Sequence, residues 1–234
     1  MNVMDSTPHS TPVPDPCYRR KFIFADTAAR RILVSFGRFL FTFFMELDVS
    51  GLEHLPAQGA VILAANHVTN FDVFPVQFAL PRPIFFMAKA NLFKFLPMDL
   101  LLRNLGAFPV NRGEKDAWAM RHAAQVLNHG QALGMFPEGT RSKGRGLAVA
   151  KTGTARLALE ANCPILPVAI TGSDQFFKRF ARRARVRVVI LPPLFPEPGE
   201  NPLALTDRLM FTLAQGLPVE MRGVYADLPE GFEE

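Results

Sequence analysis

The sequence predicts an α/β fold in which a largely parallel sheet is flanked by helices. Short apolar runs bounded by turn residues alternate along the chain with amphipathic helical patterns, an order typical of strands joined by crossover helices. Of the 234 residues, 49% are hydrophobic. That content is enough to bury one substantial core, so we expect one main domain rather than two.

The amino-terminal region is predicted to contain a tail followed by a helix. Residues 1–21 are rich in Pro, Ser and Thr and predict a disordered tail. Residues 22–48 predict an amphipathic segment, with a helix from about Phe22 to Leu47. Its charge-free stretch, 39–45, is far shorter than the roughly 20 residues of a spanning helix. Basic and bulky apolar side chains occur together along this segment: Arg30, Arg31, Arg38, Ile32, Phe36, Phe39, Leu40 and Phe43. This pattern favours a helix lying at a membrane interface, and the alternative is a helix packed on the domain's own core.

Residues 49–234 are predicted to form the α/β domain itself. Six apolar runs predict its strands: 60–66, 83–88, 106–110, 132–137, 163–170 and 186–191. Three helical patterns lie between or after them, at 114–130, 150–162 and 201–216. The first of these ends at Gly130, a residue type that commonly terminates helices.

The chain is basic, with 26 Lys and Arg against 21 Asp and Glu. A basic surface attracts nucleic acid, anionic lipid or an acidic carrier protein. Nucleic-acid binding is the non-enzymatic alternative, but the sequence contains no recognition motif for it, so we expect no nucleic-acid partner. The two cysteines, Cys17 and Cys163, are expected to be free thiols, and neither has the spacing of a metal ligand.

The stretch "NHVTNFD" places His67 and Asp72 directly after the 60–66 strand. Sites in such sheets form beyond the carboxyl ends of strands. Asn70 is expected to cap a helix beginning near Phe71, which puts Asp72 in its first turn. A loop that folds back brings the carboxylate to one imidazole nitrogen and leaves the other free as a base. Alone, this spacing is also compatible with an ordinary polar turn.

Two further strand ends carry groups suited to an anion. In "GMFPEGTRSKGRG", Gly139 and Thr140 offer backbone N–H groups and a hydroxyl, while Arg141 offers a fork suited to phosphate. Glu138 is expected to hold Arg141 in place. In "GAFPVNRG", Arg112 follows another strand and could share the pocket. With no nucleophile elbow in the sequence, we expect direct attack by a bound hydroxyl.

These motifs resemble the four sequence blocks of a known family. "NHVTNFD", "GAFPVNR", "FPEGTRS" and "CPILPV" occur in the order and approximate spacing found in the 1-acylglycerol-3-phosphate O-acyltransferases, the lysophosphatidic acid acyltransferase or PlsC-like glycerolipid acyltransferases. The match runs from about Asn66 to Val168. The resemblance implies the glycerolipid acyltransferase fold and a membrane-associated enzyme of phospholipid synthesis.

The same resemblance implies roles for the residues. His67 would be the general base and Asp72 its orienting partner. The residues expected to bind the acceptor phosphate are Arg112, Glu138, Gly139, Thr140 and Arg141. Two further candidates are Asn66 and Lys151, and for Lys151 a plain surface lysine is the alternative.

The implied reaction moves a fatty acyl group to the sn-2 hydroxyl of lysophosphatidic acid, giving phosphatidic acid. The donor would be acyl-CoA or acyl-carrier protein, with no resident cofactor or metal. An alternative acceptor is another lysolipid, such as lyso-ornithine lipid. The expected location is the cytoplasmic face of the membrane, peripheral or monotopic. There the basic run 178–187 would meet anionic lipid or an acidic carrier, unless it is a solvated face.

Overall fold

One seven-stranded sheet organises the computed structural model, which describes residues 21–24, 27–111, 116–142, 144–175 and 183–227. The strands are β1 (Met45–Ser50), β2 (Val61–Ala65), β3 (Ile84–Lys89), β4 (Ala107–Val110), β5 (Ala132–Met135), β6 (Ile165–Thr171) and β7 (Ala184–Ile190). Their spatial order is β1-β7-β6-β2-β5-β3-β4. Neighbours are parallel except β6 and β7. The predicted largely parallel sheet is confirmed, as are all six predicted strands.

Helices cover both faces of this sheet. They are α1 (Ala28–Thr42), α2 (Val73–Ala79), α3 (Leu96–Asn104), α4 (Ala117–Asn128), α5 (Gly153–Ala161) and α6 (Pro202–Gln215). Short 3-10 helices lie at Leu52–His54, Ala90–Lys94, Ser173–Gln175, Val219–Met221 and Gly223–Tyr225. The three helices predicted between or after the strands correspond to α4, α5 and α6.

Side-chain alternation along each strand divides the core in two. On one face, Leu63 of β2 belongs to a cluster that includes Val76 and Phe78 of α2. On the other face, Ile62 belongs to a cluster with Leu157 of α5 and residues of α4 and α6. Because β2 is buried on both faces, its sequence is a continuous apolar run rather than an alternating one.

The amino-terminal helix is shorter than predicted. It ends at Thr42 rather than near Leu47, and residues 45–50 form β1, which pairs in parallel with β7. Opposite charges face each other in this register, with Glu46 beside Arg185 at 3.4 Å and Asp48 beside Arg187 at 3.5 Å. The backbone pairing with β7 holds the last part of the predicted helix in the sheet, and these exposed ion pairs add little to it. Residues 1–20 of the predicted tail and residues 178–182 of the basic run lie outside the described residues.

Helix α1 packs on the domain's own core, one of the two alternatives that the sequence left open, but along one side only. Phe41 packs against Phe74 and Phe78 of α2, with ring centroids 4.7 and 5.1 Å apart. The other side of α1 leaves Ile32 and Phe36 more than half exposed. One side of the helix is therefore docked on the core while an apolar side faces outward. None of the helices in the described part of the chain is both long and apolar enough to cross a membrane.

Candidate active site

The carboxyl ends of β2 and β5 place two loops side by side, and the first contains His67 and Asp72. His67 Nδ1 lies 2.9 Å from Asp72 Oδ2. The same oxygen accepts from the backbone N–H groups of Val68 at 2.7 Å and Thr69 at 2.8 Å. Because an ionised carboxylate only accepts hydrogen bonds, Nδ1 carries the proton and Nε2 presents a lone pair. The predicted pair therefore forms, with the imidazole in the tautomer that a general base needs.

The predicted helix cap in this loop was wrong. Helix α2 begins at Val73, so Asp72, and not Asn70, is the residue that precedes it. The carboxylate of Asp72 makes no cap hydrogen bond to α2. It turns back to the N–H groups at the start of the loop, and this use of the side chain is what brings it to the imidazole.

The second loop holds the main chain of His67. Glu138 Oε1 accepts from the backbone N–H of His67 at 2.8 Å, and Oε2 accepts from that of Ala148 at 3.0 Å. The backbone N–H of Ser142 donates to the carbonyl oxygen of His67 at 2.7 Å. We expected Glu138 to hold Arg141; its oxygens instead serve these two backbone donors. Burial raises the pKa of Glu138, and the two N–H donors act in the opposite direction.

The imidazole ring is also held by an aromatic neighbour. The ring of Phe136 stacks on His67 with centroids 4.1 Å apart and planes 19° apart. The ring of Phe86 stacks in turn on that of Phe136, with ring centroids 6.4 Å apart. A Cβ at position 134 would lie 2.0 Å from Phe86 Cε1, so only glycine leaves room for that ring in β5. This packing fixes the plane of the imidazole.

His67, whose Nε2 is the free ring nitrogen, lines a cavity of about 210 Å³. Nε2 is buried and has no hydrogen-bond partner. The described residues that line the cavity are His67, Met87, Val110, Asn111, Met120, Met135, Phe136, Pro137, Gly139, Lys151, Gly153 and Thr154. A buried nitrogen with an unused lone pair at a cavity is available to take a proton from a bound molecule.

Of the other residues predicted to belong to the site, some line the cavity and others do not. Gly139, at a φ of 65°, and Lys151 line the cavity, and the Lys151 side chain lies where a Cβ of Gly139 would point. Thr140 is exposed and Arg141 is half-buried; neither lines the cavity. Arg112 lies outside the described residues, although the preceding Asn111 reaches the cavity.

Asn66 has a structural contact rather than one to the cavity. Its side-chain oxygen accepts from the backbone N–H of Ile170 at 2.7 Å, and its Nδ2 donates to the carbonyl oxygen of Ile170 at 2.9 Å. This pair of hydrogen bonds joins the end of β2 to β6. It keeps His67, the next residue, at the edge of the sheet.

Sequence reasoning did not find three residues that complete the site: Phe136, Ser142 and Thr154. The first two flank the polar motif "PEGTR" and act through a ring face and a backbone N–H, which no residue-type pattern indicates. The hydroxyl of Thr154 is buried at the cavity without a partner. Only its position after Lys151 and Gly153 in the sequence could have drawn attention to it.

Comparison with known proteins agrees with this geometry. The sequence model described as Acyltransferase matches residues 46–171, which is more than half of the chain. The chain belongs to the acyltransferase family. The predicted resemblance is confirmed, and the matched acyltransferase region contains His67, Asp72, Glu138 and Lys151.

Individual members of the acyltransferase family are similar to this chain over much of its length. A 1-acyl-sn-glycerol-3-phosphate acyltransferase of Borreliella burgdorferi is 31% identical over 57% of this chain and 54% of the relative. One of Escherichia coli is 30% identical over 68% of this chain and 66% of the relative. The chain thus spans between about half and two thirds of the length of these two relatives.

A solved acyltransferase structure shares the fold. The crystal structure of the 1-acyl-sn-glycerophosphate acyltransferase PlsC from Thermotoga maritima superposes with a TM-score of 0.68 and 26% identity. The superposition covers 80% of this chain and 77% of that one. The predicted fold class is therefore confirmed.

Proposed function

We propose that this protein transfers a fatty acyl group from acyl-CoA or acyl-carrier protein to the sn-2 hydroxyl of lysophosphatidic acid. The product is phosphatidic acid, a precursor in phospholipid synthesis. The names of the similar proteins support this acceptor. The observation that carries the proposal is His67: its Nδ1 is bound to Asp72, its Nε2 has no hydrogen-bond partner, and the residue lines a cavity.

His67 acts as the general base. Nε2 takes the proton of the acceptor hydroxyl while the hydroxyl oxygen attacks the carbonyl carbon of the thioester. Asp72 stabilises the imidazolium that forms, because its carboxylate lies against Nδ1–H. The carbon–sulfur bond then breaks, and the departing thiolate takes the proton back from His67. Among the described residues that line the cavity there is no serine or cysteine, which supports direct transfer over an acyl-enzyme.

The acceptor phosphate binds at the rim of the same cavity. Lys151 is exposed and lines the cavity beside Gly139, so its ammonium group is available to a bound headgroup. Arg141 follows in the same loop, and Arg112 follows the cavity residue Asn111 in the sequence. Guanidinium groups suit phosphate because they donate two parallel hydrogen bonds.

The test is an assay of thiol release from acyl-CoA, with lysophosphatidic acid present and absent. We expect acceptor-dependent release by the wild-type protein and its loss in His67→Ala with the fold retained. Loss of a general base typically costs on the order of 10²–10⁴ in rate. His129→Ala, which removes an exposed imidazole at the carboxyl end of α4, serves as a matched control. Normal turnover by a folded His67→Ala protein would exclude the mechanism.

A panel of lysolipids tests the acceptor. Lysophosphatidic acid should be preferred over lyso-ornithine lipid, because the latter offers no phosphate to Lys151 and Arg141. Equal rates with both lipids would show that the headgroup phosphate is not recognised. Acyl-CoA and acyl-carrier protein are compared in the same assay to identify the donor.

We further propose that the exposed side of α1 binds the cytoplasmic face of an anionic membrane. Ile32, Phe36 and Phe39 are each more than half exposed along this helix, next to the exposed side chains of Arg31 and Arg38. Such an arrangement suits the interface between headgroups and acyl chains. Replacing both phenylalanines by serine should reduce sedimentation with phosphatidylglycerol vesicles. Undiminished binding would locate the membrane contact elsewhere.

A further inference from the structure

Thr154 presents a buried hydroxyl that the protein itself does not use. The residue is 2% exposed, its Oγ1 has no hydrogen-bond partner, and it lines the same cavity as His67. Burying a hydroxyl without a partner is unfavourable, and such groups are rare in folded proteins. Two residues that line one cavity thus carry an unpaired donor and an unpaired base, which indicates that a bound molecule satisfies both groups.

The helix that carries Thr154 adds a second feature suited to negative charge. Thr154 is the second residue of α5, and this helix follows β5, so its first turn lies at the edge of the sheet that holds His67. The first turn contains no acidic residue, and Thr152 before it makes no side-chain cap hydrogen bond. The N–H groups of a first turn have no partners within their helix, and the helix dipole makes this end positive. An oxyanion placed there is therefore stabilised.

The character of the cavity decides which anion is bound. Apart from His67, Lys151, Asn111 and Thr154, the cavity walls are formed mainly by apolar side chains such as Met87 and Met135. A phosphate dianion would lose its hydration in such surroundings, and the only described cation that lines the cavity, Lys151, is exposed. A thioester carbonyl is neutral when it binds and becomes charged only during attack, so it suits an apolar cavity with a few fixed donors.

We infer that Thr154 is a catalytic residue that, with the first turn of α5, holds the oxyanion formed on the thioester carbonyl. When the acceptor oxygen bonds to the carbonyl carbon, the π electrons of the carbonyl move onto its oxygen, and the Thr154 hydroxyl donates to it. The electrons return as the carbon–sulfur bond breaks, and the thiolate takes the proton from His67. This inference rests on the proposed function.

The test compares Thr154→Val, Thr154→Ser and Thr206→Val in the full chain, with acyl-CoA and lysophosphatidic acid as substrates. Valine keeps the shape of threonine without the hydroxyl, and serine keeps the hydroxyl. Thr206 is the matched control: it is also 2% exposed, but its Oγ1 donates to the carbonyl oxygen of Pro202 at 2.6 Å within α6. Values of kcat, KM for the acceptor and the melting temperature are measured for each variant.

We expect Thr154→Val to lower kcat by about 10²-fold, the usual effect of removing one oxyanion donor, with KM for lysophosphatidic acid within about twofold. Thr154→Ser should restore kcat to within about tenfold of wild type, because the donor is present again. Thr154→Val should melt no lower than wild type, since it removes an unpaired hydroxyl, whereas Thr206→Val should melt lower with kcat unchanged.

Three outcomes would overturn the inference. A Thr154→Val protein with wild-type kcat shows that the hydroxyl is not needed. A rise in KM for lysophosphatidic acid alone shows that the group binds the acceptor phosphate instead. A melting temperature that drops as far as in Thr206→Val shows that the hydroxyl has a structural partner. If the wild-type protein releases no thiol, the proposed function fails and this inference fails with it. If the wild-type protein is active and the Thr154 variants are equally active, this inference fails but the proposed function stands.

Discussion

Replacing Asp72 by asparagine would distinguish the effect of its negative charge from the effect of the hydrogen bonds that it accepts. Its Oδ2 accepts from His67 Nδ1 at 2.9 Å and from the N–H groups of Val68 and Thr69 at 2.7 and 2.8 Å. An asparagine that turned its NH2 group toward these donors would lose all three hydrogen bonds. The amide oxygen therefore takes the Oδ2 position, and the NH2 group faces the hydroxyl of Thr69.

Asp72→Asn thus keeps the tautomer of His67 and removes only the negative charge that, in the proposed mechanism, stabilises the imidazolium. Two unit charges about 4 Å apart attract by about 4 kcal/mol at an effective dielectric constant of about 20. Since about 1.4 kcal/mol is a tenfold change in rate, kcat should fall by about a thousandfold. The unfolding free energy should change by less than about 2 kcal/mol, because an amide is easier to bury than a charge.

Initial rates of thiol release at saturating lysophosphatidic acid measure the first effect, and guanidinium denaturation measures the second. Asp72→Ala is the contrasting variant: it leaves the Nδ1–H of His67, the N–H groups of Val68 and Thr69 and the Thr69 hydroxyl without their acceptor. It should lower the unfolding free energy by about 3 kcal/mol or more. A folded Asp72→Asn protein with kcat within tenfold of wild type would refute the electrostatic role of Asp72. Equal destabilisation by both variants would refute the assigned orientation of the amide.

Three other predictions follow from buried groups. Glu138→Gln puts an NH2 group against one of two backbone donors, so the unfolding free energy should fall by about 1–3 kcal/mol and kcat should fall with it, as measured by denaturation and thiol release. Burial lowers the pKa of His122 to about 4, against about 6.5 when unfolded. The unfolded chain therefore binds the proton first, and the unfolding free energy should decrease by about 3 kcal/mol as pH falls from 7 to 4. His122→Phe should flatten that dependence, and a slope unchanged in this variant would assign it to other groups. Burial raises the pKa of the Cys163 thiol to about 11, so a Cys17→Ser variant should not react with a disulfide reagent at pH 8 until it is denatured.

Much of the fold could be predicted from the sequence because strands buried on both faces of a parallel sheet consist of continuous apolar runs. β1 was missed for the converse reason. Its residues alternate between the sheet interior and solvent, and Glu46 and Asp48 made the segment look like the end of an amphipathic helix. Helix α3 was also missed, since 96–104 has a short helical pattern with Pro97 near its start.

Only those contacts of the candidate site that join residues close together in the sequence could be predicted. His67 and Asp72 are five residues apart, so one loop brings them together. The contacts from Glu138 and Ser142 to the His67 backbone depend on the path of a loop more than 70 residues away in sequence. Whether the Thr154 hydroxyl has a hydrogen-bond partner depends on the residues packed around it in the folded chain, and no sequence pattern gives these. Backbone hydrogen bonds and cavity walls are properties of the assembled sheet.

The attachment of both peptide groups of His67 to the β5–α5 loop has a consequence for refolding. Neither loop can hold the imidazole until β2 and β5 are paired, because the N–H of His67 and its carbonyl oxygen are bound by residues of the other segment. Partly folded chains that contain the His67 loop alone should hydrolyse or transfer no thioester. In a refolding experiment, enzymatic activity should consequently return no earlier than the pairing of β2 with β5.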